Sequence, residues 1–500
     1  MAAALGWLTL TAGLIGTSTA SATSTSTPST VAALASLAQP AQPIGHAGRW
    51  LVDRQGRVLV IHGINVSMKG TLAQSQAYKF GPDDAAFLAA NGFNAVRLTV
   101  ERYDIEPSAG TFNTAYLAFI RHTVQVLSSY GLMTLIDFHQ DEFGPVFHDN
   151  GYPSWMTSTG GLPNVTSVGF PAQYVANPAL NHAFDNLWNN GNDNRGTPLW
   201  SDDAEILGKA VAALRTAPGL LGYEILNEPW PGTQYATCFV VGVGCPSFDQ
   251  IKLSNYYAAM DKAIRAMDPK HLVLFEPLVS FNYGIPTSVT PPPGDTDLGF
   301  AFHDYPVCSA ADDAGLPLSV GTACGVEDKL AISNAVNYAT MHSTGLLETE
   351  FGATTKPAPL THAAAEYDAA MVPWMFWSYQ ELTGIDSTGA FTSNKPNRSV
   401  LTSLSRPYPQ LIAGIPGGYA YNPTTHIFTA SYSTERASGG GSFGANAVSQ
   451  FSVPRSAYPQ GYTVTATGGQ VVSGDNDELL LVAASPGAKR VTVRVTPGTG

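Results

Sequence analysis

Leu220-Leu221-Gly222-Tyr223-Glu224-Ile225-Leu226-Asn227-Glu228-Pro229-Trp230 is an apolar run that breaks into Asn-Glu-Pro. Such a run reads as a buried strand, and the polar pair that follows stands where a parallel barrel delivers side chains to its C-terminal face. Seven other runs share this texture: Val58 to Val66, Asn94 to Leu98, Met133 to Asp137, Leu272 to Glu276, Gly299 to His303, Leu346 to Glu350 and Pro373 to Tyr379. Stretches with apolar residues near helical spacing separate them, at Pro82 to Asn91, Thr114 to Tyr130, Asp202 to Thr216, Phe248 to Met267, Asp328 to Thr344 and Leu360 to Met371. No helix is legible after the fifth strand. Strand and helix alternating through eight runs predict an α/β fold, a (β/α)8 TIM barrel over residues 44–405.

Beyond Arg406-Pro407-Tyr408-Pro409 the texture changes. Short runs at His426 to Ser433, Ala447 to Val453, Tyr462 to Thr467, Glu478 to Ala484 and Arg490 to Thr496 are separated by Gly, Asn, Pro and Ser. Val491, Val493 and Val495 alternate with polar residues, as in a strand with one buried face. Residues 406–500 are therefore expected to form a C-terminal β-sandwich. At the other end, the apolar run Leu5 to Ile15 and the small residues Ala20-Ser21-Ala22 fit a signal peptide over residues 1–22, although no Lys or Arg precedes Arg49. The Ser/Thr/Ala-rich residues 23–43 read as a flexible linker. The chain is expected to be secreted.

With 44% apolar and 13% charged residues in 500, the chain has ample core and is neither fibrous nor disordered. A formal charge of −13 repels phosphate backbones, so nucleic acid is not an expected partner. The four cysteines fall into two local pairs, Cys238 with Cys245 and Cys308 with Cys324. Two loop-closing disulfides are expected; zinc is the weaker reading because neither pair has C-x2-C spacing.

The polar residues at the expected strand ends form one chemical set: Arg97, His139, Asp141, Asn227, Glu228, His303, Tyr305, Glu350 and Trp377. Glu228 and Glu350 close strands four and seven, so a barrel points both into one cleft. Each Glu alone would more commonly be a solvated surface residue. Two facing carboxyls, one protonated and one ionised, are what glycoside hydrolysis requires. A metal bound by His139, Asp141 and His148 is disfavoured, because no HExxH or helical ligand spacing is present. Gly440-Gly441-Ser442-Phe443-Gly444 matches an esterase pattern, yet no His follows His426 to complete a triad.

Asn227-Glu228-Pro229 after strand four, with a second Glu ending strand seven, resembles glycoside hydrolase family 5. That resemblance implies Glu228 as acid/base and Glu350 as nucleophile, with Arg97 and Tyr305 holding the nucleophile. It implies Asn227 at the sugar 2-hydroxyl, His139 and His303 lining the site, and Trp377 as an aromatic floor. The Asn65 to Lys69 stretch, His139-Gln140-Asp141 and Arg406-Pro407-Tyr408-Pro409 are further similar to the endoglycoceramidase branch, which implies Lys69 and Asp141 as glycan-binding residues. The implied substrate is a glycosphingolipid cleaved between glycan and ceramide, with no cofactor and no metal, by a monomer making at most transient membrane-surface contact. A β-glucanase or glucosylceramidase of the same family remains the alternative, and a non-catalytic glycolipid-binding protein the remoter one. The apolar loop Cys238-Phe239-Val240-Val241-Gly242-Val243-Gly244-Cys245 lies on the leaving-group side, where it could receive acyl chains. Phe143, Phe147, Tyr152, Trp155, Met156, Phe170 and Tyr174 either join it or pack down as a rim of the barrel.

Overall fold

The computed structural model describes residues 40–306, 324–379 and 396–498. The expected signal peptide and most of the expected linker lie outside them, as does Cys308. Three short strands, β1 (Gly45–Ala47), β2 (Trp50–Val52) and β3 (Val58–Leu59), lead into the barrel. Its eight parallel strands are β4 (His62–Val66), β5 (Ala95–Glu101), β6 (Met133–His139), β7 (Leu220–Glu224), β8 (Leu272–Phe275), β9 (Leu298–Asp304), β10 (Gly345–Gly352) and β11 (Trp374–Trp377). β11 pairs with β4 and closes the ring. The (β/α)8 expectation holds. After β8, where no helix was legible, stands a single 3₁₀ turn, Val279–Tyr283.

One expected strand divides in two. Val58 to Val66 does not run through: Val58 and Leu59 pair with a strand of the C-terminal region, and only His62 to Val66 joins the barrel. That region comprises β12 (Tyr408–Ile412), β13 (Ile415–Asn422), β14 (Ile427–Ser433), β15 (Val448–Ser452), β16 (Tyr462–Thr467), β17 (Gly469–Val471), β18 (Leu479–Ala484) and β19 (Arg490–Pro497). One sheet runs β1-β2-β3-β12-β15-β18-β17 and the other β13-β14-β19-β16. The C-terminal sandwich is thus built partly from the strands that precede the barrel.

Side-chain alternation lets this sheet serve two cores. Val58 and Ile412 face the sandwich interior with Phe428, Phe451, Val491 and Val493. Their neighbours Leu59 and Leu411, with Leu51, pack beneath the barrel against Ile61, Met133, Leu135, Leu221, Leu272, Leu274, Leu347 and Met375. The barrel interior is therefore apolar at its base, capped by the sandwich sheet. Burying each such Leu or Met contributes about 1.5–3 kcal/mol. Towards the strand C-termini the interior turns polar and buried, with Asn65, Arg97, Asp137, His139, Glu224, Glu276, His303 and Glu350.

Barrel and sandwich are joined by a buried polar knot. His62 lies between Trp374, at 4.1 Å, and Tyr408, at 3.6 Å between ring centroids. Asp368 accepts from the Tyr419 hydroxyl at 3.0 Å and pairs with Arg406 at 3.0 Å and with His62 at 3.3 Å. Arg406 and Tyr408, the first and third residues of the Arg-Pro-Tyr-Pro segment, thus fasten the sandwich to the barrel. Replacing Asp368 with Asn leaves Arg406 buried without its counter-charge, which typically costs about 3–5 kcal/mol. Urea unfolding of Asp368→Asn should show that loss; wild-type stability would remove the knot from the account.

Candidate active site

Arg97 has no solvent exposure and stands at the centre of the barrel mouth. Alternation along β5 aims it inward, and four carboxylates surround its guanidinium. Its Nε donates to Glu224 and its Nη1 to Glu350, while Nη2 lies 3.1 Å from Asp137 and 3.6 Å from Glu276. Asn65 Oδ1 accepts from Nη1 at 3.1 Å and Asn227 Oδ1 from Nη2 at 2.9 Å. One cation on β5 thus fixes residues from β4, β6, β7, β10 and the loops after β7 and β8. Charge-assisted bonds of this kind are both short and orienting.

Glu350 receives a second donor, the Tyr305 hydroxyl, at 3.0 Å. Glu228 Oε1 accepts from Asn282 Nδ2 at 2.6 Å and shares a hydrogen bond with His303 Nδ1 at 2.9 Å. His303 Nδ1 is also 3.6 Å from Glu350 Oε2. A carboxylate oxygen of Glu228 and one of Glu350 lie within 4.8 Å of each other and of a His303 nitrogen. The two carboxyls that the sequence placed in one cleft therefore face each other across one imidazole.

Their environments separate them. Burial, reinforced by the Asp141 charge, pushes the Glu228 carboxyl up to about 7. Burial also raises Glu350, but Arg97 and the Tyr305 hydroxyl stabilise its charged form. Burial lowers His303 to about 4, so at neutral pH it is an uncharged imidazole between two acids. Glu228 itself sits at φ 42°, a left-handed conformation costly for a residue with a Cβ. The Glu276 carboxylate accepts its backbone N–H at 3.1 Å and holds that turn.

The remaining expected residues form a second group beside this pair. His139 donates to Asp137 at 2.6 Å and to Asp141 at 3.1 Å, and lies parallel to the Trp377 ring at 5.5 Å. Burial and Lys69 oppose its charge, yet Asp137 and Asp141 raise it to about 10. Lys69 pairs with Asp141, and its Nζ lies 4.7 Å from the Trp377 ring centre. Asn227 gives Nδ2 to the Gln140 carbonyl at 3.0 Å, so its amide is fixed from both ends. His148 is exposed and stands outside the group. Ser442 is exposed too and bridges to Glu435 in the sandwich, away from any acid–base pair.

Cys238 and Cys245 are joined by a disulfide with Cα atoms 4.4 Å apart. Cys308 and the side chain of Cys324 fall outside the described residues. Within the disulfide loop, Val240 and Val243 are exposed and Val241 is 80% exposed. The long segment after β6 mostly packs down as a rim: Phe143, Phe147, Tyr152, Met156 and Tyr174 are buried, whereas Phe170 is exposed.

Asn282, Glu276, Asp137 and Glu224 were not singled out from the sequence. Asn282 sits on the five-residue 3₁₀ turn, too short for a periodic signal, and nothing local predicts that it reaches Glu228. Glu276 ends an apolar run just as Glu350 does, and that signal could have found it, whereas Glu224 lies inside the run Leu220 to Leu226.

Residues 59–383 match the family model Cellulase (glycosyl hydrolase family 5), and residues 406–495 match the Glycoside hydrolase family 5 C-terminal domain. The chain belongs to glycoside hydrolase family 5. It is a glycosidase. It is 32% identical to Endoglycoceramidase I of Rhodococcus hoagii over 466 residues, covering 90% of this chain and 88% of the relative. It is 26% identical to the Endoglycoceramidase of Hydra vulgaris, covering 77% and 76%. The fold is similar to that of Endo-glycoceramidase II from Rhodococcus sp. in complex with ganglioside GM3, with a TM-score of 0.74, 22% identity and 90% and 99% of the two chains covered.

The shifted Glu228 carboxyl sets a pH dependence. The basic limb of kcat/KM should fall near pH 7, where Glu228 loses its proton. The Asp141 charge raises Glu228, so Asp141→Asn should lower the Glu228 pKa and move that limb to lower pH. Parallel pH profiles check this; a limb that stays put or moves upward contradicts the assignment.

Proposed function

We propose that this chain is a secreted, retaining endo-β-glycosidase that cleaves glycosphingolipids between glycan and ceramide. The observation that carries the reaction is the Glu228–Glu350 pair, its carboxylates within 4.8 Å across His303. One oxygen of each carboxyl within that distance supports a retaining pair, whose carboxyls stand roughly 5–5.5 Å apart.

In the proposed first step the Glu350 carboxylate attacks the anomeric carbon while Glu228 gives its proton to the ceramide oxygen. The carbon–oxygen bond to ceramide breaks, ceramide leaves as the neutral alcohol, and the sugar is esterified to Glu350. In the second step Glu228, now a carboxylate, takes a proton from water, which attacks the same carbon and releases Glu350. Two inversions return the β configuration. Arg97 and the Tyr305 hydroxyl hold the attacking carboxylate, and Lys69, Asp141, His139 and Trp377 are placed to receive the sugar. The chemistry calls on no metal or organic cofactor.

The lipid part of the reading rests on the similarity to endoglycoceramidases and on the loops. The disulfide loop presents exposed Val240, Val241 and Val243 shortly after Glu228, and Tyr283 lies 6.1 Å from Phe239 beside it. A contiguous apolar surface on the leaving-group side suits an acyl chain. A loop disulfide also suits an oxidising compartment, and so supports secretion together with the apolar leader.

Incubation with ganglioside, lactosylceramide, glucosylceramide and a soluble cellulose derivative, followed by mass spectrometry, tests the substrate. Intact oligosaccharide plus ceramide is expected; shortened glucan alone would favour a β-glucanase. Glu228→Gln should stay folded and lose at least about a hundredfold in turnover on ceramide glycosides, and wild-type rates would refute the acid/base role. Val240→Ser with Val241→Ser should slow ceramide-glycoside turnover while sparing a soluble aryl glycoside. Turnover unchanged from wild type on both substrates would exclude the acyl contact.

A further inference from the structure

Glu228 carries its hydrogen bonds on one side only. Asn282 Nδ2 and His303 Nδ1 both meet Oε1, at 2.6 and 2.9 Å. Among the described residues no hydrogen bond reaches Oε2. The two contacts are not equivalent. A neutral imidazole nitrogen donates or accepts according to its tautomer, so His303 alone leaves the acid proton free to sit on either oxygen. An amide N–H only donates. An oxygen that already accepts a short N–H bond takes the carbonyl role of a carboxylic acid, which leaves the O–H on its partner.

Asn282 is rigidly placed for this. It is buried on the 3₁₀ turn Val279–Tyr283, whose first N–H donates to the Pro229 carbonyl, next to Glu228, at 3.1 Å. Phe281 anchors the turn against Phe300 and Phe302, at 5.6 and 5.8 Å. Asn334 closes the turn by donating to the Gly284 carbonyl at 2.9 Å. The turn is therefore tied by its backbone to the Glu228 loop, and its own packing holds Asn282 against the Glu228 carboxyl.

We infer that Asn282 is a positioning residue that fixes the acid proton of Glu228 on Oε2, the oxygen open to the leaving group. This deepens, and rests on, the acid/base reading of Glu228. Asn282 touches no reacting atom; it acts through the carboxyl. Its N–H also favours the charged form of Glu228, so its removal has a signature beyond lost activity. Without the donor the Glu228 pKa rises and the proton is shared between two oxygens, one of them aimed away from the leaving group.

The test uses the full chain with Asn282→Leu and Asn282→Asp, each close in shape and each lacking the amide N–H. Folding is checked by circular dichroism, and whichever variant folds is read. kcat/KM is measured across pH on 2,4-dinitrophenyl and phenyl β-lactosides, the first of which leaves without protonation. Phenyl lactoside should lose about tenfold or more, dinitrophenyl lactoside only a few-fold. The basic limb should move to higher pH by roughly half a unit to one unit. Equal losses on both substrates with an unmoved limb mean a structural role only and overturn the inference. Glu228→Gln is run alongside. If that variant keeps wild-type rates, the acid/base reading itself has failed; if it is inactive while Asn282→Leu and Asn282→Asp match wild type, only the role of Asn282 has.

Discussion

The guanidinium of Arg97 is the interaction on which the rest of this active site depends. Fully buried at the mouth of the barrel, it is within hydrogen-bond or ion-pair reach of Asp137, Glu224, Glu276 and Glu350. Burying so many carboxylates is affordable only around a cation, and even then they cannot all ionise. Burial, reinforced by neighbouring carboxylates, raises Glu228 and Glu276; burial raises Glu350 too, but direct contact with Arg97 supports its charged form. The unequal support given to the charged forms of Glu228 and Glu350 is thus a property of the whole cluster.

The cluster needs a rigid, dry base, and the sandwich supplies it. Leu51, Leu59 and Leu411 fill the bottom of the barrel beneath Leu135 and Leu274. The same sheet presents Val58 and Ile412 to its own core. A mutation in the sandwich can therefore reach the chemistry through packing.

Much of this was legible because the barrel writes itself into the sequence. Apolar runs of strand length ended in polar residues, and reading only those ends gave Arg97, His139, Asn227, Glu228, His303 and Glu350, which the structure brings together. Two kinds of feature escaped. Strands of two or three residues, such as β1 and β3, carry no period, so the contribution of residues 45–59 to the sandwich was invisible and Val58 to Val66 looked continuous. Asn282 lies on a single turn whose partner is 54 residues away, a contact set by tertiary packing alone. The Arg-Pro-Tyr-Pro segment reads in the sequence as a boundary and as part of a resemblance; the structure gives two of its residues a physical task, in the knot around His62 and Asp368.

The central claim is that Glu350 becomes esterified to the sugar while Glu228 handles the proton. It is tested most directly by inactivating the enzyme with a 2-deoxy-2-fluoro β-lactoside bearing a good leaving group and sequencing the labelled peptide by mass spectrometry. The label is predicted on Glu350. A label on Glu228, or hydrolysis of an unfluorinated β-lactoside that yields the α-anomer first with no covalent species, would contradict it.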